Sequence, residues 1–280
     1  MNNFELFKLK QAGLSNLNVI NILTYQKQKQ KSLSLRDMAV VSQCKDPLLF
    51  IEAYKNLNSK ELRPVFNRFP SVSILDKAYP LELKSVYNPP VLLYYSGNLD
   101  LLTKPKLAVV GGRLASDIGT KSIQKIIKEL NNHFVIISGL ARGIDTSAHL
   151  ACLKNGGSTI AVIGTGLNVT YPKENAQLQQ YISKNHLALT EYDPDSPPLR
   201  FHFPERNRII AGLAQGVIVA EAKRRSGSLI TCERALEEGR DVFAVPGNIL
   251  DGKSDGCLHL IQEGAKCITS GFDVVSEYQL

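Results

Sequence analysis

The chain has 280 residues, 44% of them hydrophobic and 21% charged, which is the composition of a globular protein long enough for one or two domains. Thirty-three Lys and Arg against 26 Asp and Glu leave a net charge of +7 and favour an anionic partner. The five cysteines form no C-x-x-C, the start "MNNFELFKLK" lacks a signal-like apolar core, and no run reaches about 18 apolar residues. A zinc site, any other metal, secretion and a membrane partner are therefore not expected, and the cytoplasm is the expected location.

The first segment, "FELFKLKQAGLSNLNVINILTYQ", places Leu6, Leu9, Leu14, Leu17, Ile20 and Leu23 at helical spacings, with Gly13 separating two short helices. After the polar "KQKQKS", the stretches "SLRDMAVVSQ" and "DPLLFIEAYKNL" continue the pattern, the second with Asp46 as N-cap and Pro47 at the first helical position. Four short helices over residues 1–57 are predicted, an interaction or positioning module without a reactive site. The domain division is set at 1–80 for this helical part with its linker and 81–280 for the rest, which opens on the apolar strand and turn "PPVLLYYSGNLDLL".

From Lys106 onward the short apolar runs "LAVVGG", "FVIISG", "TIAVIGTG", "LALTEY", "GVIVAEA" and "VFAVPGN" alternate with segments long enough for crossover helices. That alternation predicts an α/β fold, an extended Rossmann-like and mostly parallel doubly wound sheet. Strand ends in such a sheet share one edge, so Gly111, Gly139, Gly164, Gly166 and Gly247 are expected along one rim. The turn after the first strand is not a dinucleotide fingerprint. Gly111 and Gly112 are adjacent, Arg113 follows, and Ser138 and Gly139 end the second strand where a ribose-binding carboxylate is wanted. No cofactor is expected.

Cations come to this rim from four loops: Arg113, Arg142, Lys173, and the helix start "FPERNRIIAG" with Arg206, Asn207 and Arg208. Ser226, Gly227 and Ser228 open a further helix that Thr231 also faces, an arrangement suited to an anion. One phosphate does not need so many cations, whereas a polyphosphate chain does. Each residue also has a plainer role open to it. Arg206 or Arg208 could pair with Glu205 or Glu221, and the run Lys223, Arg224, Arg225 could be a solvated loop. Asp145 and His149 fit a capping carboxylate and a satisfied histidine better than acid–base chemistry. Tyr171, Phe201 and Phe203 could stack bases, with a core role as the default for each. No Walker loop, G-x-S-x-G or H-E-x-x-H is present, so no catalytic residue is assigned. Glu233 in "GSLITCE" only loosely resembles the phosphate loop of nucleoside monophosphate phosphoribohydrolases, the alternative reading.

Taken together, "VVGGR", "SGLARGIDTSAH", "AVIGTGLNVTYPKEN", "FPERNRIIAGL", "VIVAEAKRRSGSLITCERALEEGRDVFAVPG" and "SDGCLHLIQEGA" resemble the DprA/Smf family of bacterial DNA-processing proteins, in family order over residues 106–270. The helical start resembles the sterile-alpha-motif-like domain of many members. The resemblance implies a non-enzymatic homodimer that binds and protects incoming single-stranded DNA in natural transformation and loads RecA onto it. Its glycine–arginine turn matches Gly111, Gly112 and Arg113, its basic residue after Tyr-Pro matches Lys173, and its Arg-Asn-Arg matches Arg206, Asn207 and Arg208. With Ser138, Gly139, Ser228 and Thr231 these make the candidate DNA-binding set. Gly112 stands where many members have Ser, and a C-terminal winged helix, common in the family, is not expected after "GFDVVSEYQL". Leu258 and Ile261, at i and i+3, lie with Cys257 and Cys267 at the end of the sheet; an uncovered edge there predicts a twofold dimer through Leu258, Ile261 and Cys267, with inward packing of Ile261 as the alternative.

Overall fold

A computed structural model describes residues 1–279. The chain divides into two compact units, Met1–Tyr94 and Tyr95–Leu280. In the first, helices α1 (Asn3–Gln11), α2 (Asn16–Lys29), α3 (Leu35–Val41) and α4 (Pro47–Asn56) match the four predicted. Each begins at a side-chain cap. Asn2, Ser15 and Ser34 form reciprocal boxes with Glu5, Asn18 and Asp37, and Asp46 accepts the Leu49 N–H at 2.9 Å ahead of Pro47. Such a cap stabilises a helix by about 1 kcal/mol, which matters in helices this short. Gly13, at φ +92°, makes the turn between α1 and α2.

A fifth helix, α5 (Ser59–Phe66), was not expected, because Pro64 reads as a breaker. It persists with Asn58 accepting from the Lys60 N–H at 3.0 Å, and Phe66 packs on Phe4 and Phe7 with ring centroids 5.5 and 5.4 Å apart. The unit boundary also falls later than residue 80. Strand β1 (Ser71–Ser73) pairs antiparallel with the start of β2 (Leu92–Gly97), and the short α6 (Leu81–Lys84) buries Leu83. Residues 81–94 thus pack with the helices that precede them. The Tyr94 ring lies 6.5 Å from Phe7 and 6.2 Å from Phe66.

The second unit holds β3 (Lys106–Gly111), β4 (Val135–Ser138), β5 (Thr159–Val162), β6 (Leu187–Thr190), β7 (Gly216–Ala220), β8 (Asp241–Ala244) and β9 (Lys266–Cys267). Their order across the sheet is β6-β5-β4-β3-β7-β8-β9, and every neighbouring pair is parallel. Strands β3 to β7 are buried on both faces, the reason their sequences read as unbroken Val and Ile runs. Helices α7 (Asp117–Glu129), α8 (Ile144–Lys154) and α13 (Gly271–Glu277) cover one face through Ile123, Ile126, Ala148 and Val274. Helices α10 (His202–Leu213) and α11 (Gly227–Glu237) pack on each other and against the sheet. The remaining helices are α9 (Ala176–Asn185) and α12 (Asp255–Gln262).

The chain starts this sheet at β3, runs outward to β6, and then returns to place β7 on the other side of β3. The strand order therefore reverses between β3 and β7. Loops leaving the two strands diverge there and open a crevice at their carboxyl ends.

Candidate functional site

A cleft of 540 Å³ occupies that crevice. Its walls are the turn Gly111–Arg113, the Ser226–Ser228 start of α11, and Phe203, Pro204 and Asn207 on α10, with Tyr171 and Arg200 at its mouth. The turn after β3 is pinned from three directions. Ser228 Oγ donates to the Gly111 carbonyl at 2.7 Å, the Ile144 N–H donates to the Gly112 carbonyl at 3.1 Å, and the Ser116 N–H donates to Glu221 at 2.6 Å. Glu221 is itself held at φ +46°, a conformation a non-glycine residue adopts only under constraint. A fixed turn thus carries an exposed cation, Arg113.

The cations separate into two groups. Arg113, Arg200 and Lys173 are exposed, Lys173 on the turn that adjoins the cleft beside Pro172. Arg142 is exposed too, but its Nε donates to Glu174, whose carboxylate raises the Arg142 pKa. Arg206 and Arg208 are buried at 4% and 8% exposure, which corrects their placement as open phosphate hooks. Arg206 forms the floor of the cleft. Its Nη1 donates to the Gly139 carbonyl at 2.6 Å and to that of Val162, and burial pulls its pKa down to about 10. Arg208 is paired with Glu191, away from the cleft. Ser138 is also corrected: its Oγ donates to the Val109 carbonyl at 2.6 Å inside the sheet. Thr231 is 1% exposed yet reaches the cleft wall, and Asn207 Nδ2 donates to the Gly227 carbonyl at 3.2 Å.

Gly139 explains why Arg206 can lie where it does, since a Cβ at that position would stand 2.3 Å from Nη1. Asp145 completes the floor. It accepts from the N–H groups of Gly139 at 3.1 Å and Ala141 at 3.3 Å, and burial pushes its carboxyl up against the opposing charge of Arg206. It therefore fixes the loop after β4 and does not cap its own helix, where Gly143 is the N-cap. His149 Nδ1 lies 2.7 Å from Thr159 Oγ1, while its Nε2 is buried without a partner, so the expected satisfied histidine is satisfied at one nitrogen only. Glu233 is exposed on α11 and does not line the cleft. Among the described residues no group of three His, Cys, Asp or Glu could hold a metal, and no helix is long and apolar enough to cross a membrane.

Some of the site was missed in the sequence. Arg200 lines the cleft from just before α10, in "PPLRFHF", where a cation ahead of a helix start was the available signal. Tyr171 and Phe203 are wall residues rather than core ones. At the end of the sheet, Leu258 and Ile261 are half-buried on α12, with Cys257 and Leu260 turned inward. Cys267 is exposed on the edge strand β9, and Ile249 and Leu250 are exposed at 77% and 88% in the preceding loop.

The sequence model of the family described as DNA recombination-mediator protein A matches residues 71–279. The chain belongs to that family. The family's sterile alpha motif domain matches residues 1–62, so the helical unit is this domain with β1, α6 and the start of β2 added. DNA processing protein DprA of Streptococcus pneumoniae is 60% identical over 277 residues, covering 99% of this chain and 98% of the relative. Its X-ray structure superposes with a TM-score of 0.98 over 99% of this chain and 98% of that one. DprA of Bacillus subtilis is 46% identical over 74% of this chain and 70% of its own length. A structure described as giving insights into the single-stranded DNA binding mode of DNA processing protein A from Helicobacter pylori matches at a TM-score of 0.68 and 29% identity, over 76% of this chain and 97% of that one. This protein is thus a DNA-processing member of the DprA family with the expected α/β architecture.

Proposed function

We propose that this chain binds single-stranded DNA in the switch-point cleft, protects it, and loads the RecA recombinase onto it during natural transformation, acting in the cytoplasm as a homodimer and not as an enzyme. The observation that carries the reading is the pinned glycine turn with exposed Arg113 facing the open N-terminus of α11. Phosphates are met there by a fixed cation, by backbone donors and by the helix dipole together. Arg200 at the cleft mouth and Lys173 outside the cleft continue the same basic line. The DNA-binding set becomes Gly111, Gly112, Arg113, Lys173, Asn207, Ser228 and Thr231, to which Arg200 is added. Gly139 and Arg206 support them from below. The Helicobacter relative's binding of single-stranded DNA and the family resemblance support the substrate; the RecA step rests on the resemblance alone.

The phosphoribohydrolase alternative needs an acid in the cleft. Glu233 lies outside it, and Asp145, the carboxylate among the lining residues, is engaged by two backbone N–H groups. A gel shift with oligo-dT beside a nucleoside monophosphate hydrolysis assay separates the two readings. For the RecA step, filament growth is measured on DNA already covered by a single-strand-binding protein. Acceleration by this chain supports loading, and inhibition or no change reduces the function to protection.

The dimer is proposed to form across the β9 edge, where Leu258, Ile261 and Cys267 are joined by Ile249 and Leu250. An unpaired edge strand flanked by exposed apolar side chains is a surface that association would cover.

A further inference from the structure

The net charge of the chain does not lie in the unit that contains the cleft. Residues 1–94 carry 13 Lys and Arg against 7 Asp and Glu, whereas the sheet unit, from residue 95 on, carries 20 against 19. The helical unit therefore holds +6 of the chain's +7. It attracts a distant polyanion more strongly than the nearly neutral sheet unit does.

Part of that charge is gathered at α5. The Arg63 guanidinium lies 4.2 Å from the centroid of the Phe4 ring, and Lys8 Nζ stands 5.7 Å from the same centroid and 5.1 Å from that of Tyr54. One buried ring thus holds two cations within about 10 Å of each other. Lys60, exposed, stands one turn before Arg63 on α5. The carboxylates of α1 and α5 do not neutralise this cluster. Glu5 accepts from the Asn2 N–H at 2.8 Å and pairs with the amino terminus, and Glu61 accepts from Asn58, so both are engaged at helix starts. Among the described residues no ion pair involves Lys8, Lys60 or Arg63. Ser59, Lys60, Arg63, Pro64 and Asn67 line an open groove of 480 Å³. Four residues of helix advance about 6 Å, so Ser59, Arg63 and Asn67 set side-chain donors at regular steps along it.

We propose that this groove is a second contact for the phosphate chain of a DNA strand, made by Lys60 and Arg63 with Lys8 beside them. It is separate from the cleft, none of whose lining residues belongs to the helical unit. The proposal rests on the DNA reading above and extends it, making the substrate a strand longer than the cleft alone can hold. Cations without carboxylate partners, with neutral donors between them, suit a chain of phosphates and read no base. A membrane surface would call for apolar side chains to insert among the cations, and Pro64 is the one apolar residue lining the groove. Once the cleft holds one stretch of a strand, another stretch meets the groove at raised local concentration, so two modest contacts reinforce each other.

The test measures salt slopes by fluorescence anisotropy for two lengths of oligo-dT, one that fills a single cleft and no more, and one several times longer. Each phosphate neutralised on a single strand contributes about −0.7 to the slope. Lys60→Gln combined with Arg63→Gln should make the long-strand slope shallower by about 1.4, so that the loss between 50 and 200 mM salt becomes about sevenfold smaller. The short-strand slope should keep the parent's value. Lys60→Gln alone, at an exposed side chain, should give half the change, about 0.7. That variant decides the matter if the double variant, which also lifts Arg63 from the Phe4 ring, lowers the thermal melt. An unchanged long-strand slope, or an equal change on both strands, overturns the second contact while the DNA reading stands. Loss of polyglutamate binding in the variant, with the long-strand slope unchanged, would give the groove to an acidic protein instead. Failure of the parent to bind either strand overturns the DNA reading and the second contact with it.

Discussion

The salt dependence of DNA binding measures how many cations meet phosphates, and the structure gives a count that the sequence does not. Each phosphate neutralised on a single strand contributes about −0.7 to the slope of log K against log salt. Arg113, Arg200 and Lys173 are exposed at the site, Arg142 is engaged by Glu174, and Arg206 and Arg208 are buried. Three contacts give a slope of about −2, which weakens binding about 20-fold between 50 and 200 mM salt. Had Arg206 and Arg208 also held phosphates, the slope would be about −3.5 and the loss over the same range more than 100-fold. Arg113→Ala should lower the slope to about −1.4, with a loss of about sevenfold. The assay is anisotropy of an oligonucleotide short enough to occupy one protomer, titrated with salt. A parent slope near zero or steeper than about −3, or an Arg113→Ala slope equal to the parent's, refutes the assignment.

Three further outcomes are expected. Removing Arg208 with Arg208→Met leaves the Glu191 carboxylate unpaired at 11% side-chain exposure, and a loss of about 3–5 kcal/mol is expected in chemical denaturation with the salt slope of the folded fraction unchanged; a stable variant with a shallower slope would return Arg208 to the DNA contact. His149 should set an acid limb of stability. The Thr159 hydroxyl donates its one hydrogen to the Ile136 carbonyl, so His149 Nδ1 must be the donor to Thr159, and Nε2 is left bare and buried without a partner. Burial, with the charge of Arg206 adding, pulls this histidine down to about 3. The unfolded chain therefore binds the extra proton first, and stability falls by about 1.4 kcal/mol per pH unit as pH drops from about 6.5 towards 3; His149→Gln should flatten that limb in urea denaturation, and an unchanged limb would place its origin elsewhere. Ile261→Arg should give a monomer in light scattering with its melt preserved, whereas an unaltered dimer would locate the interface away from α12.

Much of the sheet was legible because a strand buried on both faces leaves a distinctive run of β-branched residues, and because a glycine at or just after β3, β4, β5 and β8 marks where the backbone turns. The alternation of elements anticipated a doubly wound sheet with its strand ends on one rim, whereas the strand order that opens the cleft is seen only in the fold. The first unit was less legible. Pro64 disguised α5, and residues 81–94 read as the opening of the second domain until β2 was found paired with β1. The cleft positions of Tyr171 and Phe203 were left open between stacking and core because sequence gives an aromatic no direction, and burial is the sound default for any single one.

The direction of the arginines was recoverable in part, and the lesson lies in α10. His202, Arg206, Ile210 and Leu213 follow one another at spacings of four, four and three, the stripe that faces inward, and all four are buried. Arg206 belongs to that stripe. Phe203 and Asn207, four apart on the adjacent face, are half-buried and look into the cleft. The spacing in α10 thus puts Asn207 on the cleft side and Arg206 in the interior stripe, a distinction that the motif Arg-Asn-Arg read as a unit did not make. A charge can follow an apolar stripe inward only where carbonyls receive its donors and no side chain occupies its place. At Gly139 the chain meets both conditions, offering a carbonyl at 2.6 Å and the space that a Cβ would have filled. The glycine that looked like a phosphate-binding turn is, in the folded protein, the seat of the arginine beneath it.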